Sequence, residues 1–173
     1  MSALETARLR LRLLHEQQDD AALYAHLYTD PAVMARIAAP LPAEAAARAF
    51  HAACRHNRKA QPGHRVWAIE EKASAAGLGI AALLRSGERA ELGVMLRPAQ
   101  WNRGIASEAF VPLIDHAFLG MGLALVYAAR PDDDHARLID RLLDRFAFRR
   151  APERAAPGQA RWELPRARWE ARA

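Results

Sequence analysis

Between residues 65 and 96, three strand signals follow one another with connections too short to hold a crossover helix. They are Arg65-Val66-Trp67-Ala68-Ile69, residues 77–84 and residues 90–96, the last two joined by a turn at Ser86-Gly87-Glu88. Parallel neighbours need a long crossover, whereas antiparallel ones need only a tight turn. The spacing therefore predicts an antiparallel meander. Any fold proposed for this chain must be built around it.

The flanking segments add strands and helices in a readable order. Residues 7–14 alternate Leu9, Leu11 and Leu13 against Arg8, Arg10 and Arg12, the period of a half-buried strand. Residues 17–28 carry Ala21, Leu23, Tyr24, Leu27 and Tyr28 at helical spacing. Asp30-Pro31 is expected to cap a short helix that Pro40 and Pro42 stop. Residues 43–60 read as an alanine-rich helix ended before Gln61-Pro62-Gly63. A further helix spans 105–121, with Pro112 inside it removing one backbone bond. Residues 123–129 read as a buried strand. Residues 134–146 read as a helix with Leu138, Ile139, Leu142, Leu143 and Phe146 facing inward. Residues 146–149 and 160–169 supply closing strands. The main elements run β-α-α-β-β-β-α-β-α-β-β, an order that fits a mixed α/β or α+β sheet.

Composition bounds the class. Forty of the 173 residues are alanine, so larger apolar side chains build the core from a minority of the chain. That suffices for one domain spanning residues 1–173. No apolar run reaches the roughly 18 residues of a transmembrane helix, so no membrane partner is expected. The start, MSALETARLRLRLL, carries charges throughout and lacks the apolar stretch of a secretory signal. A lone cysteine, Cys54, leaves no internal disulfide framework. A cytoplasmic protein is the expectation.

The net charge of +5 and pI near 10.1 raise the question of nucleic acid. The basic residues are almost all arginine, Lys59 and Lys72 being the only lysines. Most of the excess lies in residues 149–173, where seven arginines face three glutamates. Without a recognised binding motif, nucleic acid is not the expected partner.

The stretch from Glu91 to Ala109 carries the chemistry. A strand ends near Leu96, a short loop follows, and Gly104 stands where a helix opens. First-turn amides of a helix lack internal acceptors and sit at the positive end of its dipole, which suits an anion. Gly104 and the small Ala106 permit close approach, and Arg103 adds charge. The residues point to a phosphate or pyrophosphate cradle, with an ordinary strand-to-helix turn as the alternative.

Four segments in order carry a resemblance to a known family: Glu5-Thr6-Ala7-Arg8-Leu9-Arg10-Leu11-Arg12, Tyr28-Thr29-Asp30-Pro31-Ala32-Val33-Met34, Ala90-Glu91-Leu92-Gly93-Val94-Met95-Leu96 and Trp101-Asn102-Arg103-Gly104-Ile105-Ala106-Ser107-Glu108-Ala109. They resemble the GNAT superfamily of N-acetyltransferases, and within it the ribosomal-protein-alanine N-acetyltransferase branch. The resemblance implies a mixed, mostly antiparallel sheet of about six to seven strands, flanked by helices on both faces. It implies acetyl-CoA as cosubstrate, with Val94, Met95 and Leu96 pairing with the pantetheine arm. Trp101, Asn102, Arg103, Gly104, Ile105, Ala106 and Ser107 would hold the pyrophosphate. Trp101 takes the first position of the family's pyrophosphate pattern, and Asn102 replaces a glycine frequent in the branch.

The implied reaction is direct attack of an amine, on a small molecule or a protein N-terminus, on the thioester. Glu91 is the candidate base, with a solvent-facing strand residue as its alternative. The family's usual acid positions read Ala136 and Ile139 here, so His135 and Tyr127 stand as nearby substitutes. The departure keeps open a non-catalytic module that binds CoA or a partner. A homodimer fits the family. Asp132-Asp133-Asp134-His135 reads as helix capping rather than a metal site, and His51, Cys54 and His56 point in different directions on one helix, so no metal is expected. Tyr24 and Tyr28 are core residues by default and acceptor-pocket residues otherwise.

Overall fold

The structure, a computed structural model, describes residues 3–35, 37–60 and 63–172. The predicted meander is present: β3 (Arg65–Glu71), β4 (Gly77–Ser86) and β5 (Arg89–Leu96) pair antiparallel in sequence. Gly87, at φ +63°, makes the tight β4–β5 turn that sets Ser86 opposite Arg89. Around this unit the sheet has eight strands in the order β1-β2-β3-β4-β5-β6-β8-β7. Here β1 is Leu4–Glu5, β2 Leu9–Leu13, β6 Leu125–Pro131, β7 Arg149–Arg150 and β8 Gln159–Pro165. Among the described residues only β5 and β6 run parallel.

Alternation along the strands buries both faces. Trp67 and Ile69 enter one apolar cluster, whereas Val66 and Ala68 enter the other. The second cluster is covered by α1 (Gln18–Thr29), α2 (Pro31–Met34) and α3 (Ala43–Asn57). The first is covered by α4 (Ile105–Asp115) and α5 (Asp134–Asp144). Among the described residues no helix is long and apolar enough to cross a membrane.

The sequence expectations differ from the structure where tertiary contacts intervene. The sheet has eight strands, because the two-residue strands β1 and β7 pair at its edges. Helix α3 stops at Asn57, whose side-chain amide donates to Leu14 O and Val66 O while its oxygen accepts from Val66 N. Gln61 and Pro62, expected to end that helix, lie outside the described residues. Helix α4 runs through Pro112 and gives way to a π turn at His116–Gly120, closed by Met121 N–H to His116 O. Leu138, expected inward, is 61% exposed, because α5 meets the sheet through Ala136 and Leu143. Strand β6 starts two residues later than expected, with Leu123 buried just before it. The last expected strand ends at Pro165, and Trp169 lies on a short helix, α6 (Arg166–Glu170). That helix is anchored by Arg166 N–H to Ala124 O and by the Trp169 indole to Asp115.

The arginine-rich C-terminal segment is largely engaged within the molecule. Arg150 bridges Asp132 and Asp140, and Arg154 and Arg161 share Glu163. Arg149 pairs with Asp144, and Arg166 donates to the Leu123 and Phe118 carbonyls. The local excess of charge is thus spent on joining β7, β8 and α6 to their neighbours.

At the other edge, Arg12 on β2 grips the buried Asp20 of α1 through Nη2 at 2.7 Å and Nη1 at 2.8 Å, and His15 N–H adds a third bond at 2.8 Å. Burial pushes the Asp20 carboxyl up, but the guanidinium and the amide outweigh it and hold the group below the ordinary carboxylate range. The stabilisation is therefore complete above that range and is lost as pH falls through the depressed pKa. Asp20→Asn should cost about 2–3 kcal/mol at pH 7, and urea titrations at falling pH should show wild type and variant converging. Equal stability at pH 7 would remove the pair as a tie between β2 and α1.

Candidate active site

The site begins at the one parallel strand pair. Residues Arg89, Ala90 and Glu91 of β5 pair with Leu125, Val126 and Tyr127 of β6, and there the register ends. Strand β5 continues to Leu96 on the β4 side, while β6 pairs with β8 to Pro131. The two strands thus diverge beyond Glu91. A cleft of about 570 Å³ opens in the gap, lined by β5 from Glu91 to Leu96, by Ala128, Ala129 and Arg130 of β6, and by the start of α4. The small side chains of Ala128 and Ala129 keep the β6 wall low.

The loop after β5 forms the far end of the cleft. A 3₁₀ turn at Pro98–Gln100 precedes it, and the Trp101 indole N–H donates to Leu96 O at 3.0 Å, fixing the turn to the strand. Asn102 at φ +60° and Gly104 at φ +75° are left-handed and flank Arg103. Helix α4 has Gly104 at its N-cap with no side-chain cap, whereas α2 and α5 are capped by Asp30 and Asp133. The amides of Ile105, Ala106 and Ser107 therefore keep the unpaired donors of a first helical turn. With the dipole, such donors suit an anion. The cradle is braced from the N-terminal strand. Glu108 accepts from Thr6 Oγ1, Arg8 N and Arg8 Nε, and Arg8 Nη2 reaches Arg103 O at 3.3 Å. This brace was absent from the sequence expectations; its partners are about a hundred residues apart, although the Glu5–Arg12 motif contained half of it.

Glu91 lines the cleft, half-buried. Burial raises its pKa, opposed by the nearby Arg161 guanidinium and a hydrogen bond with Tyr127. Tyr127 is Glu91's cross-strand neighbour, and the Arg161 guanidinium stacks 3.7 Å from its ring centroid. Arg161 is itself held by Glu163 at 2.8 Å. The carboxylate is thus poised with a raised proton affinity and a hydroxyl at hand.

The other expected residues distribute unevenly. Val94, Met95, Leu96, Trp101, Asn102, Gly104, Ile105, Ala106 and Ser107 all line the cleft, whereas Arg103 does not and donates to the Gln100 side chain. Tyr127 lies beside Glu91 rather than on the cleft wall, and His135 is exposed on the first turn of α5. Ala136 is buried and Ile139 is on the cleft wall. Asp133 caps α5 through Ala136 N–H, and Asp132 pairs with Arg150. Cys54 is buried in the α1–α3 core, and His51 faces Glu16. Tyr24 is buried there and stacks on Tyr28 with centroids 4.4 Å apart, while Tyr28 reaches the cleft. Arg130, which the sequence did not single out, also reaches it.

A family model described as an acetyltransferase (GNAT) domain matches residues 8–141. Solved structures share the fold over nearly the whole chain. An acetyltransferase from Agrobacterium tumefaciens superposes with TM-score 0.79 at 21% identity, covering 95% of this chain and 94% of that one. A GNAT-family acetyltransferase from Bacillus anthracis gives 0.76 at 16% identity, covering 94% and 98%. Spermidine N-acetyltransferase from Vibrio cholerae, solved with CoA and spermine, gives 0.77 at 15% identity, covering 95% and 99%. No curated protein matches the sequence.

Proposed function

The chain belongs to the GNAT acetyltransferase family, and from that premise we propose that its 173 residues form one acetyl-CoA-dependent N-acetyltransferase domain acting by direct transfer to an amine. Acetyl-CoA supplies the activated acyl thioester. The amides of residues 102–107 bind the pyrophosphate, and the free edge of β5 from Val94 to Leu96 pairs with the pantetheine arm. Glu91 takes the proton from the attacking ammonium, directly or through water. Neither Tyr127 nor His135 lines the cleft, so either returns a proton to the departing thiolate through water. The acceptor is a protein N-terminus, as in the ribosomal-protein-alanine branch, or a small amine.

The observation that carries this reading is the divergence of β5 from β6 beside an uncapped helix start, which leaves backbone donors on two sides of one cleft. A second reading, binding without turnover, is favoured by the apolar Ala136 and Ile139 at the family's usual acid positions. Titration calorimetry should detect acetyl-CoA binding, and thiol release should accelerate on adding an amine. No heat at high micromolar acetyl-CoA overturns the first reading; binding with no amine-dependent thiol release leaves the second.

A further inference from the structure

One face of the β4–β5 ladder lines the cleft beside Glu91. The register places Leu84 opposite Glu91, Ala82 opposite Gly93 and Ile80 opposite Met95, and β-strand alternation sends these six toward the α1–α3 side. The middle pair leaves a low floor between two taller ends. A Cβ added to Gly93 would meet nothing within 4 Å, and its φ lies outside the left-handed region. Neither packing nor backbone geometry requires glycine there, although glycine weakens a strand interior. The space above it is open. Tyr28, Val33 and Ile37 line the same cleft. Ile37 and Leu84 remain 45% and 42% exposed, two of the few large apolar side chains left uncovered among the described residues. Among the described residues that line the cleft, Glu91 is the only acidic one.

We infer that this trough, floored by Ala82 and Gly93, seats an acceptor with one ammonium directed at Glu91 and an apolar body lying against Leu84, Ile37 and Ile80. The inference rests on the acetyltransferase reading and narrows it. A second cationic group on the acceptor would be desolvated against apolar walls with no carboxylate to pair with. A polycation, of the kind bound in the Vibrio cholerae neighbour, is therefore the wrong chemistry for this seat. Each methylene of the body adds buried apolar surface, about a fourfold gain in specificity at ordinary transfer free energies.

The test is kcat/KM by thiol release, with acetyl-CoA affinity measured separately by calorimetry. The series ethylamine, butylamine, hexylamine should rise with chain length, and 1,6-diaminohexane should fall at least tenfold below hexylamine. Gly93→Val, which suits a strand and whose Cβ meets nothing within 4 Å, should lower kcat/KM for hexylamine at least tenfold with acetyl-CoA affinity within twofold. A diamine matching or exceeding hexylamine, or a Gly93→Val enzyme that handles hexylamine like wild type, overturns the seat and leaves acetyl transfer standing. Failure of the wild-type protein to bind acetyl-CoA overturns both.

Discussion

Gly104→Val should abolish measurable acetyl-CoA binding while the protein still unfolds cooperatively. Gly104 holds φ +75° at the N-cap of α4, and a β-branched residue is strained there. The cost of such a conformation is on the order of 1–3 kcal/mol. An added Cβ would lie 3.6 Å from Arg8 Nη2, so the fold has room for it. Relief of the strain instead rotates the peptide units on either side, and those units carry the amides of Gly104 and Ile105. A phosphate site made of backbone donors fails when their directions diverge. Gly104→Asn is the control, since asparagine tolerates the left-handed region and should keep more of the affinity than valine. Calorimetry on the three proteins decides it: a valine variant binding within threefold of wild type removes the cradle from the site.

Glu91→Gln should lower kcat by about 10²–10⁴, the usual contribution of a positioned proton acceptor. Acetyl-CoA affinity should stay within a few-fold, since glutamine preserves the shape and the cofactor amides lie elsewhere. The pH profile separates this role from a structural one. Burial raises the Glu91 pKa against the opposing effects of Arg161 and Tyr127. The active, ionised form therefore accumulates only above the ordinary carboxylate range, and the acidic limb of kcat/KM should lie there. Tyr127→Phe removes a hydrogen bond that favours the ionised form, so the limb should move to still higher pH. In Glu91→Gln the limb should vanish. Unchanged turnover in the glutamine variant would withdraw Glu91 as the base.

Much of the proposed cofactor side of this cleft was legible in the sequence because its parts are local. The strand-loop-helix run from Glu91 to Ala109 contains the strand edge, the left-handed Gly104 and the small Ala106 within one window, and the structure lines one cleft with most of them. The proposed acceptor side was less legible. Tyr28 and Leu84 line one cleft with Glu91, but nothing in either segment's own pattern points to the other. The misread Leu138 has the same origin: an apolar arc on α5 indicates an amphipathic helix, while the breadth of the buried stripe depends on how closely the sheet approaches.

The sequence by itself determined the antiparallel meander, the helix that opens at Gly104 and the family resemblance, because periodicity, turn residues and caps act over a few residues. The tertiary structure decided where β5 leaves β6, how Thr6 and Arg8 clamp Glu108 across more than ninety positions, and that Tyr127 stands beside Glu91. It also decided that the arginines of the last segment bind their own neighbours. Such contacts depend on strand register and on how the helices pack against the two faces of the sheet. They join residues whose separate local patterns would be the same with or without the partner.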